Sequence, residues 1–245
     1  MKILLAPSET KRSGGEASFK LNNLAFASVN SARQELLQEY LQIVQRCDLA
    51  ELGKLFGLKK ESDILKYAKD ITKEPALKAI LRYTGVAFDY IDYPSLDAKA
   101  KEYIDSNVIL FSNLFGAIKA NDLIPLYKLK QGEAVGAIKP EKLYSSALKE
   151  PLDSYLESED ILDIRAGFYN KFYKPSKFYT TLKFLKNGKV VSHWAKAYRG
   201  IVLKELAKNR VTSIDEFMKL NIPTLEIEEI RESKKYQEII FSIVS

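Results

Sequence analysis

The stretch of sequence that decides the fold runs from Phe178 to Lys208 and reads FYTTLKFLKNGKVVSHWAKAYRGIVLKELAK. Residues 178–184 and 189–192 predict two β-strands, and Lys186-Asn187-Gly188 between them is a strong hairpin signal. From Ala195 onward the apolar residues recur near helical spacing, which predicts a helix as far as Lys208. Strands that feed a helix in this way indicate a mixed α/β fold.

Two cations, Lys196 and Arg199, fall in the first turns of the predicted helix. They are three residues apart and therefore share one helix face. The free N–H groups of a helix start, with cations nearby, suit an anion, phosphate above all. The competing interpretation is a solvated surface helix with an ordinary core tryptophan, Trp194, because most charged residues on helices are simply solvated.

Three further predicted strands run directly into polar or aromatic loops. Met1–Ala6 is followed by the basic loop 7–15, residues 108–111 by the turn at 112–116, and residues 160–165 by an aromatic loop. Ligands of open α/β sheets usually bind at such strand ends. These loops therefore carry candidate contacts, although a flexible surface loop explains residues 7–15 equally well.

Strands and helices alternate along the chain, and hairpins appear late. The sequence therefore predicts an α/β (mixed α+β) fold in which residues 1–245 form a single large domain with a mixed sheet flanked by helices. Basic and small polar residues gather at the predicted element ends, where they would line one positively charged cleft. The candidate nucleic-acid contacts are Ser8, Lys11, Arg12, Arg82, Ser112, Gly116, Lys119, Lys128, Arg165, Lys196 and Arg199.

Catalytic chemistry has only weak candidates. His193, the single histidine, could act as a general base with Asp163 as its partner or as an independent acid. Lys196 and Asp163 together resemble the amine and carboxylate of enzymes that remove bases from DNA. A structural role for a lone histidine beside a tryptophan is the competing interpretation. No metal-ligand cluster or dinucleotide fingerprint is present, so we expect neither a metal nor a cofactor.

The charge balance of the chain favours polyanions as partners. The net charge is +6 and the isoelectric point is about 9.1. The single cysteine, Cys47, excludes an internal disulfide framework. There is neither a secretory apolar region nor a long apolar run, which predicts a cytoplasmic protein without a membrane partner.

Five blocks of the sequence resemble the YaaA family, bacterial proteins linked to resistance to peroxide stress. In the first block the family often reads Ser-Pro-Ala-Lys-Thr, whereas this chain reads Ala6-Pro7-Ser8-Glu9-Thr10-Lys11, with the lysine displaced. The remaining blocks are residues 79–86, residues 112–132, residues 163–169 and the positions Ser192, Lys196, Arg199 and Gly200.

The resemblance implies a cytosolic protein that binds DNA in a positively charged cleft and carries a helix–hairpin–helix element. We place that element at Leu114–Asp122, with Arg82–Val86 as the second choice. Residues 112–125 are equally typical of any strand–turn–helix joint.

The predicted function is therefore DNA binding in the oxidative-stress response, through the phosphate backbone and with little sequence specificity. RNA or a phosphorylated small molecule is a further candidate partner. The alternative is an enzyme that acts on a nucleic-acid base or nucleotide in the same cleft.

Overall fold

The computed structural model describes residues 1–244, apart from the side chains of Ser192 and His193. The strands are β1 (Lys2–Leu5), β2 (Ala17–Ser18), β3 (Pro75–Lys78), β4 (Val108–Ser112), β5 (Gly116–Lys119), β6 (Leu123–Pro125), β7 (Ile161–Asp163), β8 (Tyr179–Lys186), β9 (Lys189–Val190), β10 (Leu225–Glu232) and β11 (Tyr236–Ile243). The helices are α1 (Asn30–Arg46), α2 (Leu49–Phe56), α3 (Glu61–Ile64), α4 (Ala79–Arg82), α5 (Val86–Ile91), α6 (Ala98–Asn107), α7 (Pro140–Ala147), α8 (Lys149–Leu156), α9 (Ser192–Asn209) and α10 (Ile214–Lys219).

The main sheet has the order β10-β11-β8-β7-β1-β4-β5, with β9 paired to β8. The strands from β11 to β4 in this order run parallel, and β10 and β5 are antiparallel to their neighbours. A second, antiparallel sheet has the order β2-β3-β6. The inner strands β1, β4 and β7 are short apolar runs buried along nearly their whole length, as parallel strands covered on both faces are. The predicted mixed α/β class is confirmed.

The stretch that decides the fold adopts the predicted local structure. β8 and β9 form a hairpin, and Asn187 and Gly188 at its tip both have positive φ, which is the conformation of the tight turns that favour Asn-Gly. α9 follows at once and packs against α5. A Cβ on Gly200 would lie 2.3 Å from the carbonyl oxygen of Ala87. Only glycine permits this approach of the two backbones, which fixes the position of α9 over the strand ends.

The helix–hairpin–helix predicted at Leu114–Asp122 was wrong. These residues form the turn between β4 and β5, strand β5 itself and the turn after it. Residues 109–112 pair with residues 116–119, and Leu114 and Phe115 in the turn between them are fully buried. Gly116 has a φ of +67° at this turn, and a Cβ there would lie 2.7 Å from the Tyr144 ring.

Pro75–Lys78 forms β3, the central strand of the second sheet, which pairs with β2 on one side and β6 on the other. The one-turn helix α4 follows and is separated from α5 by residues 83–85. The second-choice segment Arg82–Val86 therefore does have a helix on each side. In the described part of the chain, no helix combines the length and the apolar character that crossing a bilayer requires.

Arg33 of α1 stabilises the β4–β5 turn through hydrogen bonds. Its guanidinium donates to the carbonyl oxygens of Phe115 at 2.9 Å and Ala117 at 2.6 Å, and its side chain is inaccessible to solvent. A carbonyl oxygen that loses its donor in the interior keeps the full cost of its desolvation. The turn therefore depends on this cation.

We expect Arg33→Met to lower the free energy of unfolding by about 2–6 kcal/mol, because two buried carbonyl oxygens each lose a donor at a cost of about 1–3 kcal/mol. Arg46→Met on the same helix is the matched control, because Arg46 forms an exposed ion pair with Glu51 and should cost less than about 1 kcal/mol. Urea unfolding measures both. Equal losses in the two variants would contradict the role of Arg33.

Candidate functional site

A cavity of about 460 Å³ opens where β1 and β7 end. Loop residues 5–10 after β1 and residues 164, 166 and 169 after β7 line two sides of it. Residues 84–88 at the start of α5 line a third side, and Lys196 and Arg199 of α9 line the fourth. This is the carboxyl edge of the parallel strands, where α/β proteins usually bind ligands. Its volume lies within the range of small-molecule sites.

The α9 wall carries positive charge. The side chain of Lys196 is exposed and that of Arg199 is half-buried. The Arg199 Nε atom is buried, and among the described residues it has no hydrogen-bond partner. Burial lowers the pKa of Arg199, whereas the Asp163 carboxylate raises it, and a guanidinium stays protonated in proteins. With two cations on it, this wall is suited to an anion that enters the cavity.

The wall formed by residues 8–10 carries two hydroxyl groups. The Ser8 hydroxyl accepts the Thr10 N–H at 3.2 Å, and the Thr10 hydroxyl donates to the carbonyl oxygen of Thr84 at 3.0 Å. The two hydroxyls lie 3.0 Å apart, and either can be the donor of that pair. Both oxygens keep lone pairs that a ligand can meet.

Gly85 brings this wall against the start of α5. Its φ is +100°, and a Cβ there would lie 3.1 Å from the Thr10 hydroxyl. Both the left-handed backbone and the close contact require glycine. Gly85 is part of the site without contributing a functional group.

Two lysines donate hydrogen bonds to the backbone of the 8–10 loop. Lys11 Nζ donates to the Ser8 carbonyl oxygen at 3.3 Å, and Lys128 Nζ donates to that of Glu9 at 3.2 Å. The Lys11 ammonium lies 4.1 Å from the ring centre of Tyr127 and 5.1 Å from that of Tyr83.

Burial, together with the neighbouring Lys128 and against an opposing effect of Glu9, lowers the pKa of Lys11 to about 7. Lys11 therefore changes its charge near neutral pH. Neither Lys11 nor Lys128 lines the cavity, and both support the 8–10 loop, so their contact with a ligand stays a prediction.

Asp163 and Arg165 form a buried pair beneath the cavity. The Arg165 Nε and Nη2 atoms donate to the two Asp163 carboxylate oxygens at 2.9 and 2.7 Å. The remaining donors of Arg165 reach the carbonyl oxygens of Tyr169 and Tyr173. The guanidinium also lies 4.2 Å from the centre of the Phe111 ring. Arg165 is thus occupied within the protein and its contact with a nucleic acid stays a prediction, while the Asp163 carboxylate is occupied rather than free to act as a base.

Three other candidate contacts lie in the interior. Arg82 donates to the carbonyl oxygens of Arg12, Pro75 and Ile124. Ser112 is hydrogen-bonded to the Tyr127 hydroxyl and accepts the N–H groups of residues 114 and 115. Gly116 is buried against Tyr144. None of the three lines the cavity, so their contact with a ligand stays a prediction.

Lys119 and Arg12 remain near the surface but outside the cavity. Lys119 pairs with Ile109, toward the far edge of the sheet, and its ammonium lies over the Tyr155 ring. Arg12 is exposed on the loop beyond Lys11. The side chain of the catalytic candidate His193 lies outside the described residues. Of the predicted site, the structure thus brings together Ser8, Lys196 and Arg199.

Gln131 and residues 87 and 88 were not recognised as parts of a site from the sequence, whereas residues 84–86 belong to the second-choice helix–hairpin–helix segment. The signal for Gly85 was present, because it is a glycine between two helical segments. Gln131 had no signal, since it reaches the cavity only through the path of the chain after β6.

Comparison with known proteins agrees with the resemblance in the sequence. The family model described as "Peroxide stress protein YaaA" matches residues 1–231. An uncharacterized protein of Campylobacter jejuni is 44% identical over 246 residues, which cover all of both chains. A UPF0246 protein of Corynebacterium glutamicum is 31% identical over 84% of this chain and 85% of its own length. A UPF0246 protein of Streptomyces coelicolor is 30% identical over 84% of this chain and 82% of its own length. The chain therefore belongs to the YaaA (UPF0246) family of peroxide stress proteins.

Proposed function

We propose that this protein serves peroxide-stress resistance by binding DNA with little sequence specificity, and that a backbone phosphate is held by Lys196 and Arg199. The observation that carries the proposal is that Lys196 and Arg199 together line one side of an open cavity at the strand ends. The family description supplies the link to peroxide stress. The net charge of +6 favours a polyanion and its approach.

The proposed contact is more local than a charged groove along a duplex. Arg82, Arg165 and Lys128 are buried and bonded inside the protein, and Lys119 lies on another edge. The cations left at the cavity are Lys196 and Arg199. Such a site holds one or two phosphates rather than a long series of backbone phosphates. RNA or a phosphorylated small molecule would contact the same two cations.

An enzyme that acts on a nucleotide is the second candidate, favoured by the shape of the site. A pocket of about 460 Å³ resembles a small-substrate site more than a duplex groove. Lys196 is the exposed amine at its edge. Asp163 is not a free carboxylate for this chemistry, because Arg165 occupies both of its oxygens. Product formation from damaged DNA or nucleotides would distinguish this candidate from binding alone.

We expect the double variant Lys196→Ala, Arg199→Ala to weaken DNA binding roughly ten-fold or more, and to reduce the log–log salt slope by about two units if each cation neutralises one phosphate. Fluorescence anisotropy with a short labelled duplex at several salt concentrations measures both quantities. Lys119→Ala is the control, since it removes one positive charge from the opposite edge of the sheet. An unchanged slope in the double variant, or an equal loss in Lys119→Ala, would contradict the proposed contact.

We expect DNA affinity to increase as the pH falls through about 7, because of Lys11. The phosphodiester keeps its charge in this range, whereas Lys11, with a pKa of about 7, gains a proton. A bound phosphate stabilises the charged amine, so binding takes up a proton and is favoured below that pKa. Anisotropy titrations between about pH 6 and about pH 8 test this expectation, because both ends of the Lys11 titration lie in that range.

Lys11→Met should flatten the pH profile. The charged groups that face Lys11 are Lys128, Arg82 and Glu9. His193 is the other side chain whose ordinary pKa lies near this range, so His193→Gln is the control and should keep the profile. A flat profile in His193→Gln with an unchanged one in Lys11→Met would assign the effect to the histidine instead.

A further inference from the structure

Trp194, the single tryptophan of the chain, is 48% exposed near the start of α9. The interpretation of this residue as an ordinary core tryptophan was therefore wrong. Tyr198, one turn later on the same face of α9, is buried, and its ring stacks on Phe184 of β8 with 5.6 Å between the ring centres. The contact of α9 with the sheet thus includes Tyr198, whereas Trp194 lies at the surface.

The surroundings of Trp194 combine apolar surface with positive charge. Val190 of β9 is 64% exposed. The Lys186 ammonium lies 5.6 Å from the centre of the indole ring, and the side chain of Lys189 is exposed. The sequence from 164 to 204, which contains the whole hairpin and the first turns of α9, has no aspartate or glutamate. A ligand at this surface therefore meets an aromatic ring and cations from the same stretch of chain.

Trp194 lies at the same edge of the main sheet as the cavity. β8 runs parallel to β7, so the carboxyl ends of the two strands face the same way, and α9 leads from the hairpin to the cavity. With a rise of about 1.5 Å per residue, Trp194 precedes Lys196 by about 3 Å and Arg199 by about 7.5 Å along the helix axis. A long polyanion that binds both cations therefore passes close to the indole.

An exposed indole among cations suits a ligand that carries both flat rings and phosphates. The ring stacks on a base, while the cations bind the backbone beside it. A wholly apolar protein segment would cover the indole and leave the lysines without partners. In a closed duplex the bases are stacked on one another, so only an unpaired base offers its face to the indole.

We propose that Trp194 stacks on an unpaired base, so that the protein binds single-stranded or locally opened DNA in preference to a closed duplex. This inference rests on the proposed function, because Lys196 and Arg199 hold the phosphates beside that base. It adds the class of nucleic acid to the proposed contact. The base is bound by its ring face alone, so one base is not preferred over another.

Intrinsic fluorescence tests the contact directly, because Trp194 is the single tryptophan. The unmodified protein is titrated with a short thymidine oligonucleotide, with the same backbone without bases, and with a duplex whose ends are closed by base-free linkers. The single strand should quench the fluorescence at saturation, whereas the other two ligands, held through phosphates only, should leave it nearly unchanged. Equal quenching by the base-free backbone, or binding of the single strand without quenching, would overturn the proposal.

The variant Trp194→Ala should weaken binding of the single strand roughly ten-fold, the usual effect of losing one stacked base, and leave the affinity for the closed duplex within about two-fold. Trp194→Phe keeps a ring and should retain most of the affinity. Phe178→Ala is the matched control, because Phe178 is 47% exposed but precedes the amino end of β8, at the other edge of the sheet. An equal loss in Phe178→Ala, or no loss in Trp194→Ala, would contradict stacking on the indole.

The stacking contact and the proposed function fail in different ways. The double variant Lys196→Ala, Arg199→Ala should weaken binding of the single strand and of the closed duplex alike. If it does so while Trp194→Ala binds both as the unmodified protein does, only the stacking contact fails. If the unmodified protein binds none of the three ligands, the proposed function fails as well. Fluorescence that changes with protein concentration alone would assign the indole to contact with a second copy and overturn the proposal.

Discussion

The buried pair of Asp163 and Arg165 is the interaction on which the candidate site depends. It sits at the end of β7, and Arg165 also holds the carbonyl oxygens of Tyr169 and Tyr173 and lies against the Phe111 ring. Two charges withdrawn from water are tolerated only when their hydrogen-bonding capacity is met, and here it is. The pair fixes the loop after β7 against β4. Its carboxylate also favours the charged form of Arg199 above it.

The basic residues of this chain include two groups with different structural roles. Arg33, Arg82 and Arg165 are buried and donate to carbonyl oxygens where the chain leaves regular structure, so they stabilise the strand ends. Lys196 and Arg199 face an open cavity. A guanidinium is well suited to the first role, because its five donors can satisfy several carbonyl oxygens at once. The net charge of the sequence therefore overstates the charge that a ligand meets.

This division explains what the sequence could predict. The hairpin at 186–188, helix α9 and the strands at 2–5, 108–112 and 161–163 follow from local pattern, and the structure confirms them. Placing Ser8, Lys196 and Arg199 at one edge followed from the rule that ligands bind at strand ends.

This rule does not predict whether a side chain at a strand end points into the cavity or into the protein interior. Ser112 follows β4 just as Ser8 follows β1, yet its hydroxyl is enclosed by the Tyr127 hydroxyl and two backbone N–H groups. Tertiary partners far apart in the sequence decide that outcome.

Tertiary partners also determine which polar groups the 8–10 loop presents to the cavity. The Ser8–Thr10 loop could have offered donors to an anion, as serine and threonine often do. The Thr10 hydroxyl instead donates to the Thr84 carbonyl oxygen, next to Gly85, and Ser8 and Thr10 are hydrogen-bonded to each other. Lys11 and Lys128 donate to the carbonyl oxygens of the loop, and Lys128 offsets part of the charge of Glu9. The positive charge that lines the cavity therefore comes from α9 and not from this loop.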